Sequence, residues 1–320
     1  MHIETEKDGV SEIIKARTTQ ISGRNARLAL SGTFRGASKV RSITTVGREC
    51  PTTAEDMREG IMLRALQSRI LIDENPFIQY IWLLKRKLSW SGSPMAPTSP
   101  MFSFLERDLN PSQREAVNAI LSNAAGNRVV LIQGPPGTGK TTVIAASTIS
   151  VMASSDKTNT LWLVAQSNVA VKNIAERLAK DNFLDFKILV SKDFHFDWYV
   201  HFPQWLIDCI LYWIVHSRHE HLYEKIECNL IRSDDFVDDV VATERKLLGS
   251  RVLLCTVSML SNMKIGTFSR LVPPQMVIFD EASQIEIGDY FPMLIRFRST
   301  LRKLVFIGDD KQRISVSFSS

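Results

Sequence analysis

Residues 134–141 read Gly-Pro-Pro-Gly-Thr-Gly-Lys-Thr, and this stretch decides the fold class. It fits the phosphate-binding pattern G-x-x-x-x-G-K-[ST] at every fixed position. Its glycines allow backbone turns in which successive N–H groups point at one anion. The β-branched run at 129–132 predicts a buried parallel strand before the loop, and residues 142–146 predict a helix after it. The stretch therefore predicts a P-loop α/β domain, in which the helix N-terminus also favours phosphate.

Two side chains of this loop carry specific chemistry. Lys140 provides a positive charge for the β- and γ-phosphates of a nucleotide, and Thr141 provides a hydroxyl ligand for Mg²⁺. A phosphate loop alone is shared by kinases, GTPases and many ATPases, so the reaction type depends on other motifs.

A second motif follows the apolar run 276–279, where Asp280 and Glu281 stand side by side. A strand in such a fold ends at the sheet edge where ligands bind. We expect Asp280 to hold Mg²⁺ and Glu281 to orient and deprotonate the attacking water. A small-molecule kinase rarely needs the second acid, because its nucleophile comes with the substrate, so the pair favours a hydrolase.

A third motif follows the apolar run 304–307, where Gly308-Asp309 is followed three residues later by Gln312. An uncharged amide at that place can sense the γ-phosphate and couple its loss to movement. On its own this motif is weak, because an ordinary strand and turn have the same pattern.

Composition indicates a globular chain of 320 residues, 44% hydrophobic and 23% charged, with a net charge of +5. Residues 13–48 hold eight basic side chains and no acidic one, a pattern that fits a solvated hairpin face, a nucleic-acid groove or a transit peptide. The acidic residues before this stretch argue against the transit peptide. Four scattered cysteines and a polar, acidic N-terminus indicate an intracellular protein, cytoplasmic or nuclear, and no membrane partner is expected.

The chain divides by pattern into two parts. Residues 1–104 predict a smaller accessory region, β-rich and then helical, that ends in a Pro- and Ser-rich linker at 89–103. Residues 105–320 predict a sheet domain with strands at 129–132, 161–164, 252–255, 276–279 and 304–307. The alternation of strand and helix breaks at about 182–248, which we interpret as an insertion.

Together the motifs resemble those of the superfamily 1 RNA and DNA helicases of the nonsense-mediated-decay and senataxin type. The resemblance covers roughly residues 105–312. It includes Leu109-Asn110-Pro111-Ser112-Gln113, the Pro-Pro pair of the phosphate loop, Ala165-Gln166-Ser167-Asn168, Leu254-Cys255-Thr256, and Asp280-Glu281-Ala282-Ser283-Gln284. It implies a RecA-like parallel sheet with helices on both faces, use of ATP and Mg²⁺, and single-stranded RNA or DNA as partner.

The resemblance also implies residue roles. Gln113 would bond the adenine edge, while Ser167, Asn168 and Thr256 would contact the nucleic-acid backbone. Lys140, Asp280, Glu281 and Gln312 would be the catalytic set, with Thr141 and Asp280 on Mg²⁺. The nucleotide-binding set would be Gln113, Gly134, Pro135, Pro136, Gly137, Thr138, Gly139, Lys140, Thr141 and Thr142.

The chain departs from the family after Gln312, where Arg313-Ile314-Ser315 replaces the usual Leu and pair of prolines. We expect a C-terminally truncated chain with the first motor domain only, because no sequence remains for a second. Without the arginines of a second domain, which typically contribute about 10³ to 10⁵ in rate, it would bind Mg·ATP, hydrolyse it slowly and not unwind a duplex. The alternatives are a binding module that is not a motor and, with less support, a P-loop kinase.

Overall fold

The structure is a computed structural model that describes residues 2–7, 10–22, 25–30, 39–44, 53–85, 88–90, 108–154, 156–192, 222, 224–309 and 311. Contacts between Cα atoms divide the chain into two compact units, Met1–Thr52 and Thr53–Ser320. Most of the linker expected at 89–103 lies outside the described residues, and Gln312 also lies outside them.

The first unit contains a four-stranded sheet in the order β3-β2-β1-β4, in which each neighbouring pair is antiparallel. Its strands are His2–Lys7 (β1), Val10–Ser22 (β2), Asn25–Leu30 (β3) and Lys39–Thr44 (β4). In β2, Ile14 and Ala16 are buried while Ile13 and Lys15 are exposed, the period-two pattern of a sheet with one covered face. The β-rich character predicted for the N-terminal region is confirmed.

The second unit is built on a seven-stranded parallel sheet in the order β5-β11-β10-β6-β9-β7-β8. The five strands predicted from apolar runs are present, each one or two residues longer than its run. The strands are Val129–Gln133 (β5), Leu161–Ala165 (β6), Lys187–Val190 (β7), Leu230–Arg232 (β8), Val252–Thr256 (β9), Met276–Asp280 (β10) and Lys303–Gly308 (β11).

The predicted insertion at 182–248 is placed differently by the structure, because β7 and β8 fall inside it. Lys187–Val190 pairs in parallel with both β9 and β8. The buried Lys187 ammonium donates a 2.9 Å hydrogen bond to Asn229 Oδ1, which lets a strand begin with a charged residue. Two described parts of this region, Lys187–Val190 and Leu230–Arg232, therefore belong to the sheet.

Helices cover both faces of this sheet, as expected for a RecA-like fold. Alternate residues of the central strands join two separate cores. Leu161 and Leu163 pack with the helices at 111–121, 140–153 and 168–180, while Trp162 and Val164 face the opposite way, with the helices at 76–81, 257–260 and 287–296. The helices are Thr53–Leu66 (α1), Pro76–Ile81 (α2), Pro111–Leu121 (α3), Lys140–Ala153 (α4), Asn168–Lys180 (α5), Val240–Leu247 (α6), Val257–Leu260 (α7), Gly266–Leu271 (α8) and Ile287–Arg296 (α9).

The two helices before the expected linker belong to the sheet unit. Phe77 and Ile78 of α2 are buried in one of its cores, and Asn75 Nδ2 donates a 2.8 Å hydrogen bond to the carbonyl oxygen of Leu294. Arg58 of α1 bonds Asp289 at 3.0 Å. The contact boundary at 52/53 thus differs from the boundary predicted at 104/105, because composition cannot show that these helices share the core of the sheet unit.

Among the described residues, no helix is long and apolar enough to cross a membrane.

Candidate functional site

The parallel register brings the predicted motifs to one edge of the sheet. Gln133, the last residue of β5, pairs with Gly308, the last residue of β11. Ala165 of β6 pairs on one side with Asp280 of β10 and on the other with Thr256 of β9. The phosphate loop, the paired acids and the proposed nucleic-acid residues therefore all leave the sheet at its carboxyl edge, where ligands bind in open α/β sheets.

The phosphate loop joins β5 to α4, and its conformation requires glycine. Gly137 and Gly139 have φ values of +79° and +84°, which side-chain-bearing residues rarely adopt. A Cβ on Gly139 would collide with the amide nitrogen of Gln113, and one on Gly134 would lie 2.7 Å from Thr138 Oγ1. The backbone of the loop is thus held close to its neighbours, with Gly139 as the N-cap of α4 and no side chain capping that helix.

Lys140 lies folded onto its own loop. Its Nζ donates to the carbonyl oxygens of Gly134 at 2.7 Å and Pro135 at 3.2 Å. Thr138 Oγ1 also donates to the Pro135 carbonyl, at 2.8 Å. Because these acceptors are neutral carbonyls, they bring no counter-charge to the ammonium, which would gain from an anion in the loop.

The other residues predicted to bind nucleotide lie on the phosphate loop or directly after it. Pro135 and Pro136 are exposed on the loop, and Thr141 and Thr142 occupy the first turn of α4, half-buried. Thr141 is thereby placed directly after Lys140 at the helix N-terminus, the position that a hydroxyl ligand of Mg²⁺ requires.

Gln113 ties α3 to the phosphate loop. Its Oε1 accepts from the Asn110 backbone N–H at 3.0 Å, while Asn110 Oδ1 accepts from the Gln113 N–H at 2.8 Å, which closes a capping box. Its Nε2 donates to the Thr138 carbonyl at 2.9 Å. A primary amide has a second N–H and a second lone pair, so Gln113 can still pair with an adenine edge.

Asp280 is buried at the end of β10, beside the positive charge of the loop. Burial is the largest influence on its carboxyl group and raises the pKa, and the nearby Glu281 charge also raises it. The pKa is lowered by the N–H that Glu281 donates to Oδ1 at 2.9 Å and by the Lys140 charge. The buried carboxylate and the Thr141 hydroxyl are hard oxygen donors, and a cation between them would relieve the cost of burying charge. These residues therefore fit Mg²⁺.

Glu281 has a left-handed backbone, with φ +51° and ψ +34°, which is uncommon for a residue with a side chain. Its Oε2 accepts a 3.2 Å hydrogen bond from Ser167 Oγ. The same Ser167 oxygen caps α5 by accepting from the Ala170 N–H at 3.1 Å. This contact between the motif at 165–168 and the acidic pair was not expected from the sequence, and no spacing rule would have revealed it.

The end of β11 connects the acidic motif to the phosphate loop. The Gly134 N–H donates to the Gly308 carbonyl at 3.0 Å, and the Asp309 N–H donates to Ser283 Oγ at 3.3 Å. Tyr290 Oη donates to the Ala282 carbonyl at 2.9 Å. Sequence reasoning missed the supporting roles of Ser283 and Tyr290, because both depend on contacts between elements. Gln312 lies outside the described residues.

The other proposed nucleic-acid residues lie on the same edge. Asn168 is exposed in the first turn of α5. Thr256 Oγ1 accepts from the Met259 N–H at 3.3 Å as the N-cap of α7 and lies 3.0 Å from Ser258 Oγ. The amide of Asn168 and the hydroxyl of Thr256 thus each lie at a helix N-terminus, a place that can bind backbone phosphates.

Comparison with known proteins matched one family model and several curated proteins, some of which are named as helicases. A family model described as an AAA domain matches residues 108–191. The chain is 43% identical over 90 residues to the DNA-binding protein SMUBP-2 of Mesocricetus auratus, a region that is 28% of this chain and 8% of that protein. It is 26% identical over 237 residues to Regulator of nonsense transcripts 1 of Caenorhabditis elegans, covering 72% of this chain and 19% of that protein.

Among solved structures, the UvsW helicase of bacteriophage T4 aligns with a TM-score of 0.39 and 12% identity, over 67% of this chain and 57% of that one. The chain spans less than a fifth of the length of the two curated relatives described above.

Proposed function

We propose that residues 105–320 form an ATP-binding motor domain that acts on single-stranded nucleic acid. The chain belongs to the superfamily 1 helicases of the nonsense-mediated-decay and senataxin-like branch. The observation that carries this proposal is the common sheet edge. At this edge the phosphate loop follows β5, Asp280 ends β10 and Glu281 follows it, Ser167 lies just after β6, and Thr256 ends β9.

The nucleotide would be held by the loop from Gly134 to Thr142, with Gln113 on the adenine. Lys140 would leave its two carbonyl acceptors and bind the β- and γ-phosphates, because anionic oxygens are stronger acceptors. Thr141 and Asp280 would hold Mg²⁺, which when bound neutralises charge that develops on the phosphates. Glu281 would accept the proton of the attacking water.

Nucleic acid would bind across the neighbouring part of the edge. Ser167, Asn168 and Thr256 carry polar groups at helix N-termini, which suits contacts with phosphates and gives no base selectivity. The relatives named above are described as a DNA-binding protein and a regulator of nonsense transcripts, so RNA and DNA are both candidate partners.

Hydrolysis by the 320-residue polypeptide on its own would be slow. The described residues contain one RecA-like sheet, and the site as described has Lys140 as the cation beside Asp280. Charge on the transferred phosphate is typically stabilised by a further arginine, worth about 10³ to 10⁵ in rate. Gln312, proposed to sense the γ-phosphate, would couple hydrolysis to movement.

Nucleotide binding tests this function directly. Fluorescent ATP should bind the wild-type polypeptide in the presence of Mg²⁺, and Lys140→Ala should weaken that binding by at least about a hundredfold. The matched control is Lys246→Ala, because Lys246 contacts the carbonyl oxygen of Asp235 and not the loop. Equal loss in both variants, or none in either, would contradict the proposal. Binding of ATP without any turnover, with or without single strands, would favour a non-motor module.

A further inference from the structure

The Ser167 hydroxyl is shared between two elements of the site. As an acceptor it caps α5 through the Ala170 N–H, at 3.1 Å. As a donor it gives its hydrogen to Glu281 Oε2, at 3.2 Å. Both contacts are partly buried. The carboxylate proposed as the general base is therefore bound, in this structure, by the residue proposed to contact the nucleic-acid backbone.

The order of strands shows in which direction this contact draws Glu281. The phosphate loop follows β5, and β11 separates β5 from β10. Ser167 follows β6, which lies on the opposite side of β10. Glu281 follows β10, so a hydrogen bond to Ser167 directs its carboxylate toward β6, away from the strand that leads to the phosphate loop. A base held toward β6 would be turned away from a γ-phosphate bound in the loop.

Ser167 cannot serve Glu281 and a phosphate at the same time. A serine hydroxyl has one hydrogen to donate, and a phosphate oxygen of a nucleic-acid backbone can only accept. The lone pairs of Ser167 can continue to cap α5 in either case. Binding of a single strand at Ser167 therefore requires that the hydrogen bond to Glu281 be broken.

We infer that Ser167 is a positioning residue that restrains the general base Glu281 until a backbone phosphate takes its hydrogen. This inference rests on the proposed function and adds a mechanism by which nucleic acid stimulates ATP hydrolysis. Because the coupling is thermodynamic, it acts in both directions: release of Glu281 must also strengthen binding of single strands to Ser167.

A double-mutant cycle on nucleic-acid binding tests the coupling without ATP turnover. The probes are fluorescent oligouridine RNA and oligothymidine DNA, titrated into the 320-residue polypeptide without nucleotide. Glu281→Ala should tighten binding by about tenfold, because it frees the Ser167 hydrogen and removes a negative charge. In the Ser167→Gly background, the same substitution should tighten binding by at most about twofold, through charge alone. Glycine is suitable at this position because it is tolerated as an N-cap.

Turnover gives a second readout that a merely structural role of Ser167 would not change. Ser167→Gly should raise the kcat measured without nucleic acid and reduce its stimulation by single strands, with the KM for ATP unchanged. Ser167→Thr, which retains a hydroxyl, should restore the stimulation. Thermal melting of each variant shows whether α5 remains folded.

The outcomes separate the inference from the function on which it rests. A coupled cycle, together with a raised basal kcat in Ser167→Gly, supports the inference. Additive effects in the cycle, or a lowered basal kcat in Ser167→Gly, overturn it while ATP and single-strand binding by the wild type leave the proposed function intact. If the wild type binds ATP but neither probe, the nucleic-acid function fails and the inference fails with it.

Discussion

The Gly134 N–H donates a 3.0 Å hydrogen bond to the carbonyl oxygen of Gly308, so the first residue of the phosphate loop is fixed to the end of β11. Gly308 also lies against the acidic motif, where an added Cβ would come within 3.0 Å of the Ser283 backbone nitrogen. This single position thus holds the loop and the acidic motif at a set separation, and it can be tested by substitution.

Gly308→Ala should lower the free energy of unfolding by about 1–3 kcal/mol, because its methyl group meets backbone atoms that cannot move aside easily. ATP binding should weaken as well, since the loop would shift. The matched control is Gly126→Ala, where nothing lies within 4 Å of the new Cβ. Chemical denaturation measures both variants. Equal stabilities would show that the contact at Gly308 does not constrain the site.

Asp280→Asn should raise the free energy of unfolding at pH 7. Burial raises the folded-state pKa of Asp280 above the ordinary 3.8, so the folded protein is penalised once the carboxyl ionises. That penalty is absent below the unfolded pKa, grows as the pH rises from the unfolded to the folded pKa, and is complete above the folded pKa. The gain from asparagine should therefore shrink on acidification. Melting curves between acidic and neutral pH measure it.

Asp156→Asn is the control for charge removal. Hydrogen bonds from the Thr158 hydroxyl and N–H lower the pKa of Asp156, a shift of the opposite sign to that of Asp280. This variant should give no rise in stability at neutral pH. A rise of equal size in both variants would mean that overall charge, and not burial at Asp280, is responsible.

Glu281→Gln should retain ATP binding and lower kcat by about 10²- to 10⁴-fold, because an amide cannot accept the proton of the attacking water. Glutamine still offers an oxygen to the Ser167 hydroxyl, so the hydrogen bond between positions 167 and 281 is preserved. Single-turnover hydrolysis of labelled ATP measures the loss. The matched control is Glu286→Gln, which should leave kcat unchanged. Glu286 accepts a 3.2 Å hydrogen bond from Arg58. Normal turnover in Glu281→Gln would remove Glu281 from the mechanism.

Gln113→Ala should weaken ATP binding by about tenfold and reduce the preference for ATP over GTP. The substitution removes both the bond to the Thr138 carbonyl and the proposed adenine contact. Asn118→Ala, on an exposed position of the same helix, controls for changes in α3. Competition binding with the two nucleotides gives the answer. An unchanged preference for ATP would leave Gln113 as a support of the loop alone.

Much of the fold could be predicted because its strands are apolar runs that end in chemically distinctive residues. The runs 129–132 before the glycines and 276–279 before the acids are of this kind, and both lie in strands of the parallel sheet. Strand β7 was missed because it begins with Lys187, whose buried ammonium needs Asn229, 42 residues further along the chain. A pairing over that distance leaves no local pattern.

The site was predictable as a set of residues but not as a set of contacts. Spacing identified Lys140, Asp280 and Glu281, because their motifs are compact in sequence. The contact from Ser167 to Glu281 joins positions 114 residues apart, and Gly134 bonds a residue on a strand near the other end of the domain. Such contacts follow from strand order, which the motifs do not specify.

The most direct test of the central claim is a crystal structure of the polypeptide with Mg²⁺ and a non-hydrolysable ATP analogue. We expect the phosphates in the loop from Gly134 to Thr142, with Lys140 Nζ moved from its carbonyl acceptors onto the β- and γ-phosphates and Mg²⁺ between Thr141 and Asp280. Nucleotide bound elsewhere, or bound in the loop with Asp280 turned away from the metal, would contradict the account.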